Sequence, residues 1–165
     1  MQGKLLTDVN EIGRRVRKHV AAAPSGRCER AMVVNVLNEA LAIEIVCALQ
    51  YRRHYFMAAG LCAEAVRDDL ARQAREEEKH AARLAERIRQ LDGEPIHDPP
   101  GLLTRSHSEY EGKINLMEMV EEDLAAERLA LESHTEIVRY LGDADPTSRQ
   151  VMEAILAKEG EHAHE

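Results

Sequence analysis

Two stretches of this chain repeat one chemical pattern, a glutamate followed three residues later by a histidine: Glu77 with His80, and Glu159 with His162. On a helix, residues at i and i+3 project from one face toward one point. Each pair therefore offers a carboxylate and an imidazole to the same ion, a donor set that suits iron or manganese better than the thiolate-seeking metals. Two further glutamates, Glu44 and Glu127, fall where the apolar heptad stripe of their helices asks for leucine. Six such ligands suffice to hold two metals with positions left open for oxygen or water.

Four helical patterns carry these residues, at about 30–57, 61–91, 112–141 and 147 to the end. Gly60 breaks the first pair and the run LGDADPTS the last, so each pair is expected to form an antiparallel hairpin. Between the hairpins, DGEPIHDPPGLLTRSHSEYE holds three prolines and two glycines and shows no helical period. Some 20 extended residues reach roughly 65 Å, more than the roughly 45 Å of a 30-residue helix, so the chain can return along the whole bundle before its third helix. The fold class expected is all-α, two antiparallel hairpins joined by a long crossover.

The inward stripes place the carboxylates at one depth. The first helix reads Val34, Leu37, Leu41, Glu44, Ala48, Tyr51, Tyr55, and the second Leu70, Ala74, Glu77, Ala81, Leu84, Ile88, Leu91. The third reads Met117, Val120, Leu124, Glu127, Leu131, His134, Val138, Leu141, and the fourth Met152, Ile155, Glu159, His162. Each glutamate lies about 24 Å from its own hairpin turn, so four carboxylates converge in mid-bundle. Ionised together in a low-dielectric core they repel one another, and no lysine or arginine shares the stripes at that level. Metal cations are the natural counter-charge.

The rest of the composition narrows the setting. The 165 residues fit one compact domain, divided here into a basic N-terminal arm at 1–29 and a bundle at 30–165. Net charge is -8, yet residues 1–30 carry +4 and the remainder -12. An acidic body repels DNA phosphates, and the arm reads as a solvated leader that packs on a neighbour rather than a DNA contact. Three cysteines without a Cys-x-x-Cys pair indicate neither a disulfide framework nor a zinc knuckle and fit a reducing cytoplasm. No apolar run approaches the roughly 20 residues that span a bilayer, so no membrane partner is expected.

With these residues in view, the chain from about residue 31 onward resembles the bacterioferritin branch of the ferritin-like superfamily. LNEALAIEIVCALQYRRHYFM resembles the first helix of that family, with Glu44 and with Gln50, Tyr51, His54 and Met57 matching its QYxxHxxM; EEEKHAARLAERIRQLDGEP resembles the second, DLAAERLALE the third and ILAKEGEH the fourth. The resemblance implies that Glu77 and Glu159 bridge two irons, that Glu44 and Glu127 cap one each, and that His80 and His162 each bind one. It further implies a ferroxidase that oxidises ferrous iron with oxygen or hydrogen peroxide and stores the product in a homo-oligomeric shell, with Tyr51 beside the centre to hydrogen-bond a ligand carboxylate or donate an electron.

The departures are specific. Where that family places its haem-ligating methionine this chain has Glu78, so haem is not expected. The histidine of the inner-surface iron site is replaced by Arg72, although Glu76 keeps its acidic partner. The longer crossover and basic arm resemble Dps-like ferritins that carry a bacterioferritin-type site, leaving shells of 12 and of 24 subunits both open. A rubrerythrin-like peroxidase without mineral storage and a Dps-style DNA-protecting shell are the alternative functions. Of the remaining residues, His134 reads as a hydrogen-bonded core histidine two turns from the metals, His54 as a helix-flank residue, and Cys47 as a small buried apolar group.

Overall fold

The structure, a computed structural model, describes residues 4–22, 29–58, 63–97 and 115–162, and within these not the side chains of 4–9, 63 and 162. Five helices follow in order: α1 (Lys4–Ala22), α2 (Arg30–Met57), α3 (Ala63–Gln90), α4 (Leu116–Leu141) and α5 (Pro146–His162), with no strand among the described residues. Four of them meet the sequence expectation closely. Gly60 and most of the crossover lie outside the described residues.

Local chemistry sets the helix ends. Asn115 and Glu118 form a capping box at the start of α4, with Asn115 Oδ1 accepting from the Glu118 amide at 3.0 Å and Glu118 Oε2 accepting from the Asn115 amide at 3.1 Å. The α4–α5 turn uses Gly142 at φ 46°, where a side chain would be strained. Asp145 then caps α5 just before Pro146, accepting from the Ser148 amide at 3.0 Å and hydroxyl at 2.6 Å. Arg87 of α3 reaches this cap, donating to Ser148 Oγ at 2.8 Å, so the second hairpin's turn is tied to the first hairpin.

After α3 the chain turns back along α2. Asn38 donates to the Glu94 carbonyl at 3.1 Å and accepts from the Ile96 amide at 2.8 Å, taking the place of a backbone partner for an extended segment. Gly93 makes this path accessible: a Cβ there would stand 2.7 and 2.8 Å from the two Val34 methyls.

The core fills the space between α2, α3, α4 and α5, with Leu37, Leu41, Leu84, Ile88, Ile137, Leu141, Met152 and Ile155 fully buried. α2 is apolar nearly all round, and an 18-residue window with mean hydropathy 1.8 makes it long and apolar enough to cross a membrane by composition alone. That exceeds what inspection for apolar runs suggests. The physical reason lies in its surroundings, because α1, α3 and α4 all pack against it and leave it little polar face.

Two features differ from the sequence reading. Within the basic arm, α1 buries Ile12 and Val16 against α2 and α4, while Arg15 pairs with Glu39 at 2.8 Å. Gly13 allows this closeness, since a Cβ there would stand 3.1 Å from Ser133 Oγ. Charge obscured the pattern, because four cations surround a short apolar stripe. In α4 the inward stripe was misplaced over its first half: Met117, Val120 and Leu124 are exposed, and Met119, Asp123 and Ala126 point inward instead. A buried carboxylate displaces an apolar residue here because α2 supplies its partners, Gln50 and His54.

Candidate metal centre

Glu44 from α2, Glu77 and His80 from α3, and Glu159 from α5 are all buried, and one ligand atom from each lies within 4.8 Å of the others. The i, i+3 spacing on α3 turns Glu77 and His80 together, as the sequence requires. His80 Nδ1 is the atom presented to the carboxylates, 2.9 Å from Glu159 Oε1, 3.2 Å from Glu44 Oε2 and 3.7 Å from Glu77 Oε2. Glu127 of α4 is also buried; it joins the cluster through a hydrogen bond with Glu159 and accepts another from the Tyr51 hydroxyl. His162 falls on α5 one turn beyond Glu159, and its side chain lies outside the described residues.

Burial pushes the carboxyls of Glu44 and Glu77 up, with nearby carboxylates adding to the effect. Glu127 is raised to about 10 by burial and then by the charge of Glu159. Burial acts against the His80 cation, yet its carboxylate neighbours Glu159, Glu44 and Glu77 prevail and raise it to about 12. Glu159 is lowered: burial opposes its charge, but His80, His134 and the Glu127 hydroxyl together outweigh it. Burial and charge thus favour proton uptake at Glu44, Glu77, Glu127 and His80 and disfavour it at Glu159.

The donor set fits a pair of metal ions. Glu159 Oε1 is buried without an aligned hydrogen bond although His80 Nδ1 stands 2.9 Å away, so this acceptor is left for a cation rather than for water. Oxygen donors with imidazole nitrogen match iron and manganese. Cys47 is close enough that burial and the charges of Glu77, Glu127, Glu44 and Glu159 push its thiol well up, leaving a neutral group rather than a thiolate ligand.

Two histidines stand elsewhere than their sequence positions suggest. His134 is not two turns away, because its Nε2 stands 3.0 Å from Glu44 Oε1; α2 and α4 run antiparallel, so His134 is level with Glu44 and Tyr51 with Glu127. His54 is fully buried rather than on a flank, with Nδ1 2.9 Å from Asp123 Oδ1 and Nε2 3.3 Å from Glu122 Oε2. Gln50 donates to the same Asp123 oxygen at 2.8 Å. The inward Asp123 was the missed signal: it lies one helical turn before Glu127, on the same face.

The sequence profile of the Ferritin family, described as a ferritin-like domain, matches residues 34–165. The chain belongs to the ferritin-like family. It is 35% identical over 133 residues to the nutrient stress-induced DNA-binding protein of a Synechococcus species, covering 78% of this chain and 74% of that one. Among solved structures, a dodecameric thioferritin, the bacterioferritin-related protein of Bacteroides fragilis, is similar in fold at TM-score 0.74 and 24% identity, covering 94% of this chain and 89% of that one. The bacterioferritin of Rhodobacter capsulatus, with a dinuclear site and haem iron, is 27% identical at TM-score 0.64, covering 84% and 82%.

Measured against that family, the departures read from sequence have local partners. Glu78, which the bacterioferritin resemblance sets where that family has a haem-ligating methionine, pairs with Arg52 of α2. Arg72, at the inner-surface position, pairs with Asp69 and stands 3.7 Å from Glu76.

Proposed function

We propose that this ferritin-like chain is a ferroxidase that oxidises ferrous iron with oxygen or hydrogen peroxide at a di-iron centre inside each subunit, and that a shell of its copies holds the product. The observation that carries this reading is the meeting of Glu44, Glu77, His80 and Glu159 within 4.8 Å, buried, with Glu127 hydrogen-bonded to Glu159. Glu77 and Glu159, one from each hairpin, would serve both ions, and Glu44, Glu127, His80 and His162 would each serve one.

When bound, ferrous ions supply one electron each, and a peroxide that accepts two of them breaks its O–O bond and leaves at the oxidation level of water. The chain's part is to bind, orient and exchange protons. Carboxyls that hold protons in the metal-free state release them as cations arrive, so metal replaces proton at little net change in buried charge. Tyr51, only 1% exposed and held neutral by burial, fixes Glu127 through its hydroxyl and stands ready as an electron donor. Its donation leaves one Glu127 oxygen for a metal.

Replacing Glu127 tests this directly. Glu127→Ala is expected to slow ferrous oxidation in stopped flow by at least 10-fold while helicity is kept, because a buried ionisable group is removed rather than stranded. Oxidation as fast as in the parent would defeat the assignment. Iron loading far above two per chain separates storage from a peroxidase that keeps no mineral.

A DNA-protecting shell is the second reading, favoured by the name of the Synechococcus relative and by Arg17 and Lys18 exposed on α1. Reversing both charges leaves Ile12 and Val16 in place, so loss of salt-sensitive DNA retardation in that variant would support it.

A further inference from the structure

The two hairpins are related by an internal repeat. Glu44 is followed 33 residues later by Glu77 and Glu127 is followed 32 later by Glu159; each of those is followed at three by histidine. Under the same correspondence Tyr51, seven residues after Glu44, answers to His134, seven residues after Glu127. The contacts obey this repeat. Tyr51 donates its hydroxyl to Glu127 Oε1, and His134 Nε2 stands 3.0 Å from Glu44 Oε1.

We propose that His134 is a positioning residue, holding Glu44 across the bundle as Tyr51 holds Glu127. Its Nε2–H donates to Glu44 Oε1 and leaves Oε2, the oxygen that faces His80 at 3.2 Å, as the ligand atom. His80 cannot keep this duty once its Nδ1 is given to a metal, so His134 is the partner that persists. The ring is fully buried, and a neutral imidazole has one N–H to donate. Neither ring nitrogen makes an aligned hydrogen bond as the side chains stand, and contacts of this kind tighten when a site is filled.

This inference rests on the metal-centre reading, and cobalt(II) titration followed by its visible absorption separates the two. The parent protein is expected to take up two cobalt ions per chain. His134→Ala, checked for helicity, should weaken one of the two by about 10- to 100-fold, as loss of a partner behind a ligand does, and leave the other unchanged. His134→Gln, whose amide can still donate, should recover most of the loss. A parent that binds no cobalt overturns the metal centre and this role with it. Normal binding by the parent and by His134→Ala overturns the role alone, and a folded His134→Gln no better than His134→Ala overturns it as well, since the imidazole would then be a ligand itself.

Discussion

At the scale of single residues, burial and mutual charge push the carboxyls of Glu44, Glu77 and Glu127 up. Glu127 is held from its ordinary 4.5 up to about 10, first by burial and then by Glu159. A carboxyl raised in this way stabilises the fold fully below its ordinary value and loses that contribution as pH climbs toward the folded value. His80, raised from 6.5 to about 12, acts in the same direction over its own window. Glu159 is lowered and acts only below its ordinary 4.5, outside this range. Chelator-treated protein should therefore melt at a lower temperature at about pH 9 than at about pH 5, and added metal should restore it at the higher pH by replacing the protons. A metal-free protein that melts higher at about pH 9 would show that these carboxyls carry no buried proton.

The legibility of the site follows the same physics. Glutamates within apolar stripes at matched depth were visible because helical geometry converts spacing into position. His134, His54 and Asp123 were not visible, since their roles depend on which residues of α2 face α4, and a crossover of this length leaves that register undetermined by sequence. His54 looked solvated for the same reason, although both its nitrogens face carboxylates.

At the scale of elements, the crossover's first turn is the least tolerant point. Gly93 sits so close to Val34 and Ile88 that a methyl group would lie 2.7 to 3.0 Å from their side-chain carbons. β-Branched Val34 has little freedom to move aside. Gly93→Ala is expected to cost about 1–3 kcal/mol, the usual range for overpacking a filled core, measured by urea unfolding against the parent. An unchanged midpoint would mean that the strap along α2 is not packed as described. Four helices were readable from apolar periodicity and turn residues, while α1 was not, because Arg14, Arg15, Arg17 and Lys18 hide the stripe formed by Ile12, Val16 and Val20. The exposed face of α4 was misread because its outward residues are themselves apolar.

That outward face belongs to the scale of the whole molecule. Phe56 is 79% exposed near the end of α2 and Met117 68% exposed near the start of α4, with Val120 and Leu124 continuing the apolar line. Antiparallel packing brings those helix ends together, so the exposed side chains share one end of the bundle. Exposed apolar side chains at one end of a subunit suit a contact surface, and the shell proposed above would give them an occupant in a second copy of the chain. Phe56→Lys is expected to lower the native mass, measured by light scattering, without loss of helicity. An assembly of parental mass would place the subunit contacts elsewhere.

The claim on which the account depends is that both metals lie within one subunit, between the two hairpins. Anomalous scattering at the iron edge from crystals loaded anaerobically with ferrous iron tests it most directly. The account predicts two peaks per chain, both among Glu44, Glu77, His80, Glu127, Glu159 and His162. Peaks found between subunits, with this cluster still holding its protons, would contradict it.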